Sequence, residues 1–321
     1  MHVHIHHEPD EPARKALFKA LDNEVRVTWG PEPGKEADYA ILVSGRPTAE
    51  LMTASEHLHT VVIPFAGLPP GTLELLVKHP EVVVHNLHHN APATAELAIA
   101  LLLAGAKSVV PVDRRFRRRD WSDRGEHEHA VQLEGRTALV IGYGAIGRRV
   151  AKVCAALGLE VRAIARNDHP DPGHRLHKPE ELRELLPKTD VLMVCAPSTQ
   201  ETQGMIGESE LALLPPDAIL VNISRGALVD QRALYDALKQ RRLFAAGLDV
   251  WWTYPASRDE WGDTAPSDFA FHELDNVVMS PHRGGHVKDT EVRRMRALAQ
   301  VLNAAARGEE IPHKVDLKAG Y

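Results

Sequence analysis

The hexapeptide Gly142-Tyr143-Gly144-Ala145-Ile146-Gly147 stands between an apolar run at residues 137–141 and a helical pattern at residues 147–157 that Gly158 closes. A strand that enters a glycine-rich turn and leaves as a helix builds a parallel sheet, because the helix carries the chain back across before the next strand begins. The glycines there permit a tight turn, close backbone approach to a pyrophosphate, and close helix–strand packing, while the helix N-terminus receives the anion. G-x-G-x-x-G alone is a weak signal. Here strand, loop and helix all stand where dinucleotide binding needs them.

The alternation continues on both sides of that loop. Further strands are predicted at residues 160–165, 191–195, 218–223, 244–250 and 277–279, with helices at 147–157, 179–186 and 230–240. Earlier, short strands at 40–43, 60–63 and 82–85 alternate with helices at 13–21 and 72–78, and a long apolar helix at 92–110 leads into the second half. A helix at 289–306 closes the pattern. Strands alternating with helices imply crossovers and doubly wound, mostly parallel sheets. At 321 residues, two α/β domains are the economical reading. The opening Met1-His2-Val3-His4-Ile5-His6-His7 alternates His with apolar residues, which suits a first strand with one wet face better than a metal site.

Charge and composition narrow the partners. Net charge is −6 and the isoelectric point about 6.3, so no broad basic field attracts nucleic acid or anionic lipid. The basic run Arg114, Arg115, Arg117, Arg118 and Arg119 reads as a solvated helix face. The only two cysteines, Cys154 and Cys195, lie in apolar stretches without ligand spacing, so no metal is expected. The longest apolar run, residues 97–106, ends at Lys107 and is too short to span a bilayer. The polar, His-rich start lacks a signal-peptide pattern, and a cytoplasmic protein is expected.

The second strand of the dinucleotide unit bears on the cofactor. An Asp or Glu at its end would bind the ribose hydroxyls of NAD. Here the strand ends Val161-Arg162-Ala163-Ile164-Ala165-Arg166-Asn167, with no carboxylate and with Arg166 placed to meet a 2′-phosphate. NADP is therefore favoured over NAD, the other reading being a solvated Arg166 with Asp168 binding the ribose.

Four stretches taken together resemble the D-isomer specific 2-hydroxyacid dehydrogenase family over nearly the whole chain. They are the loop from Val140 to Gly147, then Asn222-Ile223-Ser224-Arg225-Gly226-Ala227-Leu228-Val229-Asp230, then Ala246-Gly247-Leu248-Asp249-Val250, and Ser280-Pro281-His282-Arg283-Gly284-Gly285. The resemblance implies two Rossmann-like domains with the cofactor domain, residues 98–286, inserted into a substrate domain made of residues 1–97 and 287–321. It also implies a homodimer that interconverts a 2-ketoacid and a D-2-hydroxyacid.

Such a substrate needs a cation for its carboxylate and carbonyl oxygen, and a proton donor at that oxygen. Arg225 resembles the family's catalytic arginine, and a planar guanidinium can grip a carboxylate with two parallel bonds. His282 resembles the acid/base histidine, whose ordinary pKa suits moving a proton in either direction. In the family a glutamate bonds that histidine and raises its pKa; the corresponding position here is Tyr254. Tyrosine orients an imidazole but supplies no charge at neutral pH, so reduction is expected to weaken in alkali unless Asp259, Glu260 or Glu273 folds back to help.

The remaining assignments follow from the same resemblance. Arg166, Asn167, Pro197, Thr202, Ser224 and Thr94 fall on the cofactor side, and Asp249 resembles the residue that hydrogen-bonds the nicotinamide amide. Pro64-Phe65-Ala66-Gly67-Leu68 resembles the loop whose amides hold the substrate carboxylate, altered by Pro64, Phe65 and Pro69-Pro70, and Asn90 joins Ala66 and Gly67 as a substrate contact. Trp251, Trp252, Trp261, Phe269 and Phe271 form either a wall of the substrate pocket or ordinary packing. Two rivals stand beside the dehydrogenase: an NAD(P)H-sensing binding protein of the same fold, and an enzyme oxidising formate or phosphite.

Overall fold

Successive residues of a strand face opposite sides of its sheet, and here both sides are apolar, so each sheet must be covered on both faces. The structure is a computed structural model that describes residues 1–34, 37–69, 71–167 and 174–320; Pro70 and Asp168 lie outside the described residues. Contacts divide the chain into two units, residues 1–91 with 285–320 and residues 92–284.

The first unit contains β1 (His2–Ile5), β2 (Arg26–Trp29), β3 (Ile41–Val43), β4 (Thr60–Ile63) and β5 (Val83–Asn86), all parallel in the order β2-β1-β3-β4-β5. One face is covered by the helices Glu11–Ala20 and Thr290–Ala306, whose Leu17, Met295, Leu298 and Leu302 pack on Val3, Ile5 and Val62. Tyr39, Leu51, Leu76 and Val315 cover the other. The His-rich start is a strand, and its polar side chains find partners: His2 Nε2 and His4 Nδ1 share the Thr28 hydroxyl at 2.9 and 3.0 Å.

The second unit holds β6 (Thr137–Ile141), β7 (Glu160–Ile164), β8 (Arg175–His177), β9 (Val191–Val194), β10 (Ile219–Asn222), β11 (Ala245–Leu248) and β12 (Val277–Met279), all parallel. Their order is β12-β11-β10-β9-β6-β7-β8, so the chain runs outward from β6 in one direction and, after β8, from β9 in the other. The strands read as continuous apolar runs because they are buried twice: Leu139, Ile141 and Leu220 enter one core, and Ala138, Val140 and Val221 the other.

Three expectations are corrected. The helix expected at 92–110 breaks into Ala91–Ala106 and Val109–Phe116, bent by 64°, because Ser108 takes a left-handed conformation at φ 47°. The 179–186 helix is a single α-turn, Leu182–Leu185, flanked by 3₁₀ turns. β2 and β8, unforeseen, are both sheet edges. No single helix among the described residues is long and apolar enough to cross a membrane. The arginine run ends the second helix, with Arg115 fixed to Asp123 by bonds of 2.6 and 2.7 Å.

Helix Ala91–Ala106 lies close on β11 because β11 carries Gly247: a Cβ there would sit 2.7 Å from the Leu101 Cβ. Gly247→Ala is expected to destabilise the protein by about 1–3 kcal/mol through overpacking. Urea unfolding would show it, with Gly262→Ala, which meets nothing within 4 Å, as the unchanged control.

Candidate functional site

In an open parallel sheet a ligand crevice forms at the carboxyl ends of the strands where strand order reverses. Here that point lies between β6 and β9, and the loop Gly142–Gly147 occupies it. Gly142 turns at φ 91°, and a Cβ on it would lie 2.5 Å from backbone atoms of Ala196, beyond β9. Gly147 opens the helix Gly147–Ala156, and a Cβ there would come within 1.9 Å of the Gly142 carbonyl oxygen. Gly144 differs, since a Cβ there would meet nothing within 4 Å. Turn, helix packing and an open approach in front of a helix N-terminus are what a dinucleotide pyrophosphate requires, so these residues fit one. Tyr143 is buried, and Ala145 and Ile146 complete the loop.

The strands beside β6 frame this loop. After β9, Thr202 donates from its hydroxyl to the Pro197 carbonyl at 2.7 Å and accepts the Thr199 N–H at 2.8 Å, which fixes the turn. Buried Ser224 donates to the Ala196 carbonyl, so its hydroxyl ties the segment after β10 to the one after β9. After β7, Arg166 pairs with Glu201 from the β9 side, and Asn167 beside it is exposed. Cys154 and Cys195 are free thiols; burial pushes Cys154 up to about 12 and Cys195 further in the same direction.

The other half of the sheet edge carries Arg225, Tyr254 and His282, which follow the adjacent strands β10, β11 and β12. The Arg225 backbone is set by the Asn222 side-chain amide, which donates to its carbonyl at 2.9 Å, and its guanidinium reaches the Ser224 carbonyl at 2.7 Å. A Cβ on Gly226 would lie 2.3 Å from the Trp251 carbonyl oxygen, so only glycine lets the Arg225 segment lie this close to the one leading to Tyr254.

His282 has a left-handed backbone at φ 53°, unusual for a residue with a side chain. Asp249 holds it there. Its buried carboxylate accepts the Ser280 hydroxyl at 2.5 Å, the Arg283 N–H at 2.9 Å and the Gly284 N–H at 2.8 Å, bracketing His282. His282 Nδ1 lies 2.9 Å from the Tyr254 hydroxyl oxygen, which also accepts the Trp251 N–H at 3.1 Å. Burial, partly opposed by the Trp251 N–H and the Arg225 charge, pushes the Tyr254 phenol above its ordinary value and keeps it protonated at neutral pH. Of the acidic residues that could have folded back, Glu260 accepts the Ala256 N–H at 2.8 Å within its own loop.

The aromatic residues divide between the two readings. Trp251, Trp252, Phe269 and Phe271 pack with Tyr235 into one core of this unit, while Trp261 is 69% exposed. Thr94 is buried near Asp249, each within 3.1 Å of a Cβ placed on Gly284.

Ala66, Gly67 and Asn90 belong to the first unit. The Ala66 carbonyl accepts the Asn86 side-chain amide at 2.8 Å, fixing the loop, and Asn90 packs against Gly285, where a Cβ would lie 2.8 Å from its Nδ2. Burial, helped by the charge of Arg294, pushes His89 down to about 4 and leaves it neutral. Arg294 stacks over the Phe65 ring at 5.0 Å. Sequence reasoning missed Ser280 as the partner of Asp249, and missed Glu201 and Arg294 altogether. Ser280 stood inside a quoted motif, whereas nothing in spacing pointed to the other two.

Comparison with known proteins shows what the chain is similar to. The family model described as "D-isomer specific 2-hydroxyacid dehydrogenase, NAD binding domain" matches residues 99–284. The chain is 33% identical over 319 residues to D-3-phosphoglycerate dehydrogenase of Mycobacterium leprae, covering 95% of this chain but 58% of that protein. It is 32% identical to glyoxylate reductase of Thermococcus litoralis, covering 98% of this chain and 90% of that one. The crystal structure of an NADPH-dependent glyoxylate/hydroxypyruvate reductase from Sinorhizobium meliloti, in complex with NADP and sulfate, superposes with a TM-score of 0.80 at 20% identity, covering 100% and 99% of the two chains.

Because Gly144 has ordinary backbone angles and open space, Gly144→Ala is expected to leave the unfolding midpoint in place. Titrating the reduced dinucleotide by fluorescence should nonetheless show its affinity falling by about tenfold or more, since the methyl fills the approach to the pyrophosphate.

Proposed function

The chain belongs to the D-isomer specific 2-hydroxyacid dehydrogenase family, and from that premise we propose that it is an NAD(P)-dependent oxidoreductase interconverting a 2-ketoacid and a D-2-hydroxyacid. The observation that carries the reading is the gathering of a guanidinium, a phenol and an imidazole along one sheet edge, with Tyr254 Oη 2.9 Å from His282 Nδ1. Arg166, at the position that meets the ribose, favours NADP over NAD.

Held by the Gly142–Gly147 loop, NADPH or NADH would supply the hydride for reduction, and the oxidised form would accept it in the reverse direction. Arg225 grips the substrate carboxylate and polarises the carbonyl oxygen, which stabilises the alkoxide charge that develops there. His282 moves the proton at that oxygen through Nε2, because Nδ1 faces Tyr254. The Tyr254 oxygen, which already accepts the Trp251 N–H, also accepts Nδ1–H of the neutral imidazole, and this leaves Nε2 unprotonated and able to take a proton. When the ring is doubly protonated the same Nδ1–H bond persists, and Nε2 carries the proton to be given up. Either way the ring plane is held. The reading extends to a cytoplasmic homodimer, and the two free thiols, Cys154 buried and Cys195 partly so, suit a reducing compartment.

The decisive experiment follows reduced-cofactor absorbance with NADPH and then NADH against glyoxylate, hydroxypyruvate and branched and aromatic 2-ketoacids. Turnover is expected with at least one of them and should fall by about 10²-fold or more in His282→Ala. Dinucleotide binding without turnover would favour the sensing role, which an uncharged Tyr254 tolerates.

A second test addresses Tyr254 itself. Glutamate there places a negative charge beside the imidazolium and stabilises it, so the proton-donating form persists to higher pH. Tyr254→Glu is expected to move the alkaline limb of the reduction profile upward by about one pH unit. A limb that stays put, or moves down, would show that the phenol position does not govern the acid.

A further inference from the structure

Glu201 lies in the turn after β9, and Arg166 lies just past β7. β7 and β9 flank β6, so the two residues reach toward one another at the strand ends on either side of the Gly142–Gly147 loop. Their side chains form an ion pair, with 41% of Arg166 and 75% of Glu201 exposed. Lys178 closes the other side, its Nζ 3.5 Å from the Arg166 carbonyl oxygen. Among the described residues, two cations and one carboxylate therefore share the rim where the adenosine ribose of a dinucleotide would rest.

We propose that Glu201 determines cofactor specificity: its carboxylate occupies the Arg166 guanidinium as an internal substitute for the 2′-phosphate and so holds down the affinity for NADP(H) relative to NAD(H). The inference rests on the second unit binding a nicotinamide dinucleotide, and adds the residue that sets the choice between the two forms. A guanidinium engages a carboxylate and a phosphate through the same fork of donors, so the two compete for one group. A 2′-phosphate that reaches Arg166 must displace Glu201, or lie beside it and meet its charge. NADH carries no group that makes this demand.

The pair is exposed, so its effect is modest and sensitive to salt. Neutralising the carboxylate removes both the competition and the repulsion while keeping the side chain's size. Glu201→Gln is therefore expected to tighten NADPH by roughly two- to tenfold at low ionic strength and to leave NADH within about twofold. Raising the salt should shrink the NADPH difference. In an Arg166→Gln background the same substitution should leave NADPH within about twofold, because no guanidinium remains to be released.

The measurement is a fluorescence titration of NADPH and NADH on the full-length wild type, the two single variants and the double variant. Circular dichroism melts would check that all four are folded. Unchanged or weaker NADPH binding by Glu201→Gln overturns the proposal, as does equal tightening of both dinucleotides. Loss of NADH affinity in that variant also overturns it and makes Glu201 an acceptor for the ribose hydroxyls. Wild-type protein that binds neither dinucleotide overturns the oxidoreductase reading together with this one. Binding that ignores the charge at position 201 overturns this one alone.

Discussion

The buried carboxylate of Asp249 is the interaction on which the reactive edge of the second unit depends. A charge that is 1% exposed is costly to desolvate and survives only where donors replace the lost water. Asp249 receives three, from the Ser280 hydroxyl and from the Arg283 and Gly284 amides. Those donors surround His282, whose left-handed backbone alone costs roughly 1–2 kcal/mol. The loop keeps that conformation because letting it go would strand a carboxylate in the interior. Strain at the histidine and burial of the aspartate are one arrangement seen from two ends.

Tyr254 gives the imidazole a partner without giving it a charged one. A carboxylate beside the imidazole would both orient it and favour its charged form. The phenol performs only the first task, since burial keeps it protonated through neutral pH. In the role proposed for it, His282 then has no neighbouring charge from Tyr254 to hold its proton. In that role, a charged imidazole is the donor for reduction and a neutral one the base for oxidation, so rising pH shifts the balance toward oxidation.

Much of this was legible in the sequence, and the exceptions share a cause. β6, β4 and β12 have the bounds expected of them, because each is a continuous apolar run between polar residues. The two strands not foreseen, β2 and β8, are edges whose residues are largely half-exposed, so they show neither a buried run nor a clean alternation. The helix break at Ser108 was missed although Lys107-Ser108 interrupts the apolar run, because Val109 and Val110 resume it and the turn itself is set by one backbone dihedral. At the site, the sequence picked out Arg225, Tyr254 and His282 and the structure sets them in the segments that follow adjacent strands, but it was silent on the partners of Asp249. Hydrogen bonds between a side chain and amides 34 and 35 residues away leave no periodic trace.

Packing and chemistry meet most directly at Trp251. Its indole is buried against Phe271 in the core and donates from Nε1 to the Ser280 carbonyl at 2.8 Å, on the loop that carries His282. Its backbone N–H donates to the Tyr254 hydroxyl. One core residue thus fixes both partners of the Tyr254–His282 contact, each by a separate bond. Exposed side chains at a strand end would ordinarily sample several rotamers. Here a tryptophan with little room to move ties the phenol and the histidine loop to the same frame. Of the two readings of the aromatic residues, a pocket wall or ordinary packing, Trp251 follows the second, and its packing supports the Tyr254–His282 contact from behind through rigidity.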